Sequence, residues 1–181
     1  MEIDWELELG SGAEVIAAAW PGFCDLSRTP GLVSDLEEVR LFPPLGPVLA
    51  TLNQPGSPFF TTKCDIWPAL EAGLWDPYEM EATPENSVAG SGGYIDLIPR
   101  THGWQTPAEA EAACRALTEQ LRPLPLACCR VDLIVRQAIL ANGDSLLAMT
   151  AYLTACGPTP ERALASLTAC LSAFAARVAN G

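Results

Sequence analysis

Two stretches, "YIDLIPR" at 94–100 and "RVDLIVR" at 130–136, each set an aspartate inside an apolar run with an arginine four residues on. These residue types suit two kinds of chemistry. A guanidinium offers a planar fork of donors to a carboxylate or phosphate, and a carboxyl group can carry a proton. The candidate ligand-binding set is therefore Asp96, Arg100, Asp132 and Arg136, joined by His102 just beyond the first stretch and by Tyr152.

Strand phase decides which of these residues can meet. Alternate residues of a strand share a face, so Tyr94, Asp96, Ile98 and Arg100 point one way. Arg130, Asp132, Ile134 and Arg136 do the same in the later stretch, and Thr150, Tyr152 and Thr154 join them from a third strand. Four strand residues span about 13 Å, too far for Asp96 to pair with Arg100 on its own strand, so cross-strand partners, water or a ligand are expected. A helix between the two stretches implies parallel strands. With one strand between them, their arginines would lie about 10 Å apart at one end of the sheet, a gap that an anionic group could bridge. The alternatives are ordinary cross-strand ion pairs on a solvated face, or burial of that face in a homodimer through Ile98, Ile134 and Tyr152.

Other constellations carry weaker chemistry. Lys63 beside Cys64 could lower a thiol pKa, with His102 as a base, but alternation sends the two side chains to opposite faces. The seven cysteines include no C-x-x-C pair and His102 is the single histidine, so neither a metal set nor a cofactor is expected. The thiols read mainly as small buried apolar groups, with the adjacent Cys128 and Cys129 as a redox alternative. "VAGSGGY" at 88–94 resembles a phosphate loop only in composition, because it precedes a strand and not a helix, and it is expected to be a flexible turn. Trp67, Trp75, Tyr78 and Trp104 could line a pocket or simply fasten a loop.

The elements that must position these residues follow from periodicity. "EIDWELEL" alternates apolar and acidic residues as a half-buried strand. Ser11 and Glu14 have capping-box spacing, which predicts a short helix ending at Pro21; Ser34 and Glu37 predict a helical turn through Arg40. A helix from Pro44 to about Asn53 presents Leu45, Val48, Leu49 and Leu52, and "FFTTKCDIW" follows as a strand. Residues 68–93 form an irregular acidic excursion, rich in proline and glycine. Thereafter come the strand at 94–100, a helix capped by Thr106, a long strand, an Asn-Gly hairpin, its partner strand, and a closing helix capped by Thr159.

This order predicts a single α+β domain over 1–181, built as a two-layer sandwich. The sheet is expected to be mostly antiparallel, with helices on one face and a ferredoxin-like element order in the C-terminal half. The net charge of −12 disfavours nucleic acid and anionic membrane surfaces and leaves a basic protein partner open. Without a secretory signal or a long apolar run, the expected location is the cytoplasm.

Two functional readings follow. The first is a soluble binding or accessory protein, homodimeric, that uses the helix-free sheet face or the 68–93 loop for a partner or ligand. The second is a small-molecule enzyme that holds an anionic substrate with Arg100 and Arg136 under a 68–93 lid, with Asp96, Asp132 or His102 transferring a proton.

Overall fold

Strand β1 (Glu2–Leu7) buries Ile3 and leaves Asp4 and Glu6 exposed, as alternation requires. The computed structural model describes residues 1–18, 20, 22–71, 73–100 and 103–180. After β1 the chain forms β2 (Val15–Ala17), α1 (Glu37–Leu41), α2 (Leu45–Asn53) and β3 (Phe59–Leu70). Then come β4 (Ala89–Pro99), α3 (Pro107–Leu121), β5 (Cys129–Ile139), β6 (Ser145–Gly157) and α4 (Pro160–Val178).

The fold is α+β, and among the described residues six strands form one sheet in the order β1-β5-β6-β4-β3, with β2 also beside β5. The sheet is mixed, which corrects the mostly antiparallel expectation. β3, β4, β6 and β5 pair antiparallel, whereas β1 and β2 run parallel to β5. More than a hundred residues separate β1 from β5 in the chain, so no hairpin constrains their direction and a crossover pairing is available.

Among the described residues the predicted helix after Ser11 is absent. In its place β2 extends the outer edge of β5, pairing Val15 with Gln137 and Ala17 with Ile139. β-Branched Val15 and Ile16 favour that edge, and burial of Ile16 at 3% exposure decides the matter. The second capping-box prediction holds for the helical turn but not for the cap, since Leu36 occupies the N-cap of α1 without a side-chain hydrogen bond.

One face of the sheet carries the core. Ile95 and Leu97, Val131, Leu133 and Val135, and Met149, Ala151 and Leu153 are all fully buried. They cluster with Leu45, Leu49 and Leu52 of α2, Cys114 and Leu121 of α3, and Leu167, Leu171 and Phe174 of α4. Thr106 caps α3 by accepting from the Glu109 backbone N–H at 3.3 Å, while the Glu109 carboxylate accepts from the Thr106 N–H at 2.9 Å. Thr106→Ala should cost about 1 kcal/mol, read as a lower denaturant midpoint with an unchanged slope.

The irregular excursion is shorter than 68–93, because β3 runs to Leu70 and β4 starts at Ala89. "AGSGG" is therefore strand and not a flexible turn. A Cβ at Gly90 would collide with the Trp75 ring, and one at Gly93 would lie 2.6 Å from the Asp65 carbonyl oxygen. These glycines let the backbone of β4 pass under Trp75 and close against β3, where the β3–β4 register shifts twice. Trp75 thus fastens the excursion to the sheet, and Met80 is buried at 2% exposure.

Candidate functional site

The even-numbered residues of β4, β5 and β6 face away from the helices. Cross-strand register aligns Tyr94 with Tyr152 and Asp132, and Asp96 with Thr150 and Ile134. This face is not bare. At one end Ile16, Ala18, Ile98, Ala138 and Ala148 form a second small apolar cluster, flanked by Phe60, Leu140 and Leu146. Between that cluster and the tyrosines lies a cleft of about 430 Å³, lined by Glu14, Val15, Ile16, Lys63, Tyr94, Asp96, Arg136, Thr150 and Tyr152.

The floor of the cleft is a chain of polar contacts. Thr150 Oγ1 donates to Asp96 Oδ1 at 2.6 Å and accepts from Arg136 Nη1 at 3.3 Å. Arg136 Nη1 also donates to the Tyr152 hydroxyl at 3.2 Å, and its guanidinium stands 5.7 Å from the Tyr152 ring centroid. Two carboxylates neutralise it: Glu8 Oε2 accepts from Nε at 2.8 Å, and Glu14 Oε2 lies 3.2 Å from Nη1. Asp96, Arg136 and Thr150 are 6%, 7% and 1% exposed.

Burial sets the electrostatics. Loss of water raises the Asp96 carboxyl above its ordinary value of 3.8, although the Thr150 hydrogen bond and the charges of Lys63 and Arg136 oppose the shift. Burial, and next the Asp96 charge, push the Tyr94 phenol up to about 12. For Arg136 burial acts downward, but the hydrogen bonds to Tyr152 and Glu8 outweigh it and hold the guanidinium above its ordinary range.

A larger cleft of about 580 Å³ shares Lys63 and Tyr94 with the first and is lined also by Trp20, Cys24, Glu37, Glu38, Thr61, Cys64 and Asp65. Lys63 Nζ sits 5.1 Å from the Trp20 ring centroid, at the junction of the two. Trp67, Tyr94 and Tyr152 continue across the face with successive ring centroids 5.9 Å apart.

No protein-family model, curated protein or solved structure matches the chain.

Of the six residues singled out from the sequence, Asp96, Arg136 and Tyr152 come together in the smaller cleft. Asp132 stands opposite Tyr152 in register but is taken by Arg130, whose Nε lies 2.9 Å from both of its carboxylate oxygens. Neutralisation within one strand therefore does occur, contrary to expectation. The spacing argument covered residues four apart, and a flexible arginine reaches a carboxylate two residues along the same face. Arg130 also reaches Glu79 of the excursion at 3.3 Å.

Arg100 turns to the sheet edge, donating from Nε to the Phe59 carbonyl at 2.8 Å and from Nη2 to the Asn53 carbonyl at 2.9 Å. It ties the end of β4 to β3 and to the C-terminus of α2, and does not converge with Arg136. His102 lies outside the described residues.

Glu8 and Glu14 were missed as site residues. The signal was present in β1, whose wet acidic face has to meet cations when few are available, and Arg136 is one of them. The Cys64 thiol offers no ready thiolate for a first attack: burial, then the nearby Glu38, Asp65 and Asp96 charges, push it up to about 12. Among the described residues no group of three or more His, Cys, Asp or Glu side chains is arranged to hold a metal ion, and no helix is long and apolar enough to cross a membrane.

Proposed function

We propose that this chain is a soluble, cytoplasmic, non-enzymatic binding protein. Its helix-free face receives a basic segment of a protein partner, and one cationic side chain enters the cleft above Asp96. The observation that carries this reading is the half-tied carboxylate of Asp96. Its Oδ1 accepts from Thr150, while Oδ2 has no hydrogen-bond partner among the described residues. A buried carboxylate with an open oxygen and aromatic neighbours suits a guanidinium or ammonium group.

Charge supports the same choice. The net charge is −12, and Glu2, Asp4, Glu6 and Glu8 line the edge of this face. The excursion adds exposed apolar side chains within acidic sequence, with Leu74 at 68%, Tyr78 at 89% and Val88 at 69% exposure. The anionic-substrate reading has less support, because Arg136 and Arg100 already hold protein partners. A homodimer through Ile134 and Tyr152 belongs to the proposal as well, and sedimentation at high concentration as a monomer would remove it. The ferredoxin-like label for the C-terminal half is part of this reading; it draws on β6 lying between β4 and β5.

Asp96→Asn tests the site. A carboxyl raised in the folded state holds its proton more tightly there than in the unfolded chain. Its ionisation therefore costs stability as pH rises above 3.8 through the raised value. The amide keeps an acceptor for Thr150 without that cost, so the variant should melt higher at neutral pH, with the difference closing as pH falls. The same variant should bind an arginine-containing peptide at least tenfold more weakly (about 1.4 kcal/mol), whereas Glu111→Gln, on α3, should bind like wild type. In isotope-labelled protein the peptide should shift Tyr94, Asp96, Thr150 and Tyr152 resonances. Equal binding by wild type and Asp96→Asn, or shifts confined to the β1 edge, would refute the proposal.

A further inference from the structure

Strand β5 is preceded by a residue in unusual geometry. Cys128 has φ 58°, and among the described residues only Glu81 shares a positive φ without being glycine. A left-handed non-glycine residue is held there by its surroundings, and such positions gather at working sites. Cys129 pairs with Ala155, so Cys128 falls opposite Cys156, and the Cys128 carbonyl accepts from the Cys156 N–H at 3.0 Å.

The two thiols interact: burial first, and next the Cys128 thiol, push the Cys156 thiol up to about 12, so the first attack falls to Cys128. Residues facing each other in this way across antiparallel strands have Cα atoms about 5.5 Å apart, inside the range that a disulfide spans. Cys129, although adjacent, serves the other side of the sheet. Its Sγ lies 3.6 Å from the Ser166 carbonyl, on the face where Cys170 Sγ stands 3.7 Å from Met1 Sδ. Access separates the two pairs as well: Cys129 and Cys170 are 2% and 0% exposed, whereas Cys128 is half-buried above a Cys156 that is 1% exposed.

We propose that Cys128 and Cys156 form a reversible cross-strand disulfide site, oxidised by hydrogen peroxide and reopened by a dithiol. The Cys128 thiol gives its proton to solvent and its sulfur attacks peroxide, giving Cys128 sulfenic acid and, once the departing hydroxide is protonated, one water. The Cys156 thiol, facing the Cys128 sulfur across the strands, then attacks it and passes its proton to the departing hydroxyl, which leaves as a second water. Two thiols and one peroxide thus become one disulfide and two waters. A dithiol reverses the bond by two exchanges and leaves as its own cyclic disulfide. Closure ties the entry of β5 to the end of β6, beside Arg130 and the excursion residue Glu79.

The test uses the full chain, reduced, freed of reductant and exposed to equimolar hydrogen peroxide. The expected product has lost two hydrogens by intact mass, returns to the reduced mass with dithiothreitol, and yields a non-reduced peptide map linking the Cys128 and Cys156 segments. Cys129→Ser should still form that link, and Cys128→Ser should not. In Cys156→Ser the Cys128 sulfenic acid should persist and be trapped by dimedone. A Cys128–Cys129 bond, or wild-type protein in which Cys128 and Cys156 stay free while other thiols oxidise or none does, would overturn the proposal. The wild-type map decides even if a variant does not fold.

Discussion

Arg136→Met is expected to destabilise the chain by about 2–3 kcal/mol, read as a lower denaturant midpoint. Methionine keeps much of the aliphatic length, so packing changes little and the loss is mainly polar. It removes the only cation in contact with both Glu8 and Glu14 among the described residues, together with donors to Thr150 and the Tyr152 hydroxyl. Breaking a buried ion pair commonly costs about 3–5 kcal/mol. The lower figure applies because the Glu8 and Glu14 side chains are 39% and 75% exposed and can recover water. Asp96 cannot, and it also loses one of the two cations that favour its charge. The loss should therefore shrink in acid, where the carboxyls are protonated. A midpoint within a few tenths of a kcal/mol of wild type would show that the guanidinium does not hold β1 and the Glu14 segment to the face.

Gly93→Ala should cost about 2–3 kcal/mol, at the upper end of what overpacking by a single carbon usually does. The added methyl would stand 2.6 Å from both the Asp65 carbonyl oxygen and Ile66 Cδ1. The Ile66 side chain can rotate away, but the carbonyl belongs to the β3 backbone and moves only if the two strands part. Gly56→Ala is the matched control, since its Cβ would meet nothing within 4 Å. Thermal melts of the two variants should differ by several degrees. If they coincide, β3 and β4 are not in close register at Asp65 and Tyr94.

Periodicity was enough for the elements whose burial it records. The stripe on α2, the capping box at Thr106 and the hairpin between β5 and β6 are all legible, because each is enforced by neighbours within a few residues. What lay beyond reading was pairing between distant segments. Nothing local in "SGAEVIAAAW" announces that the open edge of β5 beyond Leu7 will recruit Val15–Ala17 as strand. The glycines of "AGSGG" look like a turn until Trp75 and Asp65 are seen to need the space.

The candidate site divides in the same way. Strand phase alone placed Asp96, Arg136, Thr150 and Tyr152 on one face. The direction of a long side chain is not a matter of phase: Arg100 turns to backbone carbonyls at the edge, and Arg130 folds back onto Asp132. Glu14 joins the site through β2, so it stayed hidden as long as that segment was read as helix.

The place of β1 in the sheet also bears on how the chain comes to be folded. Its pairing partner, Arg130 to Val135, is translated more than a hundred residues later. On a ribosome the acidic β1 segment must wait for its sheet partner until the residues up to Val135 have been made. Contacts of such sequence separation slow folding and leave edges open to wrong partners. The alternating carboxylates of Glu2, Asp4, Glu6 and Glu8 give that segment the same charge in every copy, which disfavours edge-to-edge pairing. Glu8, which neutralises Arg136 in the finished fold, is thus also part of a charged edge that opposes pairing between copies.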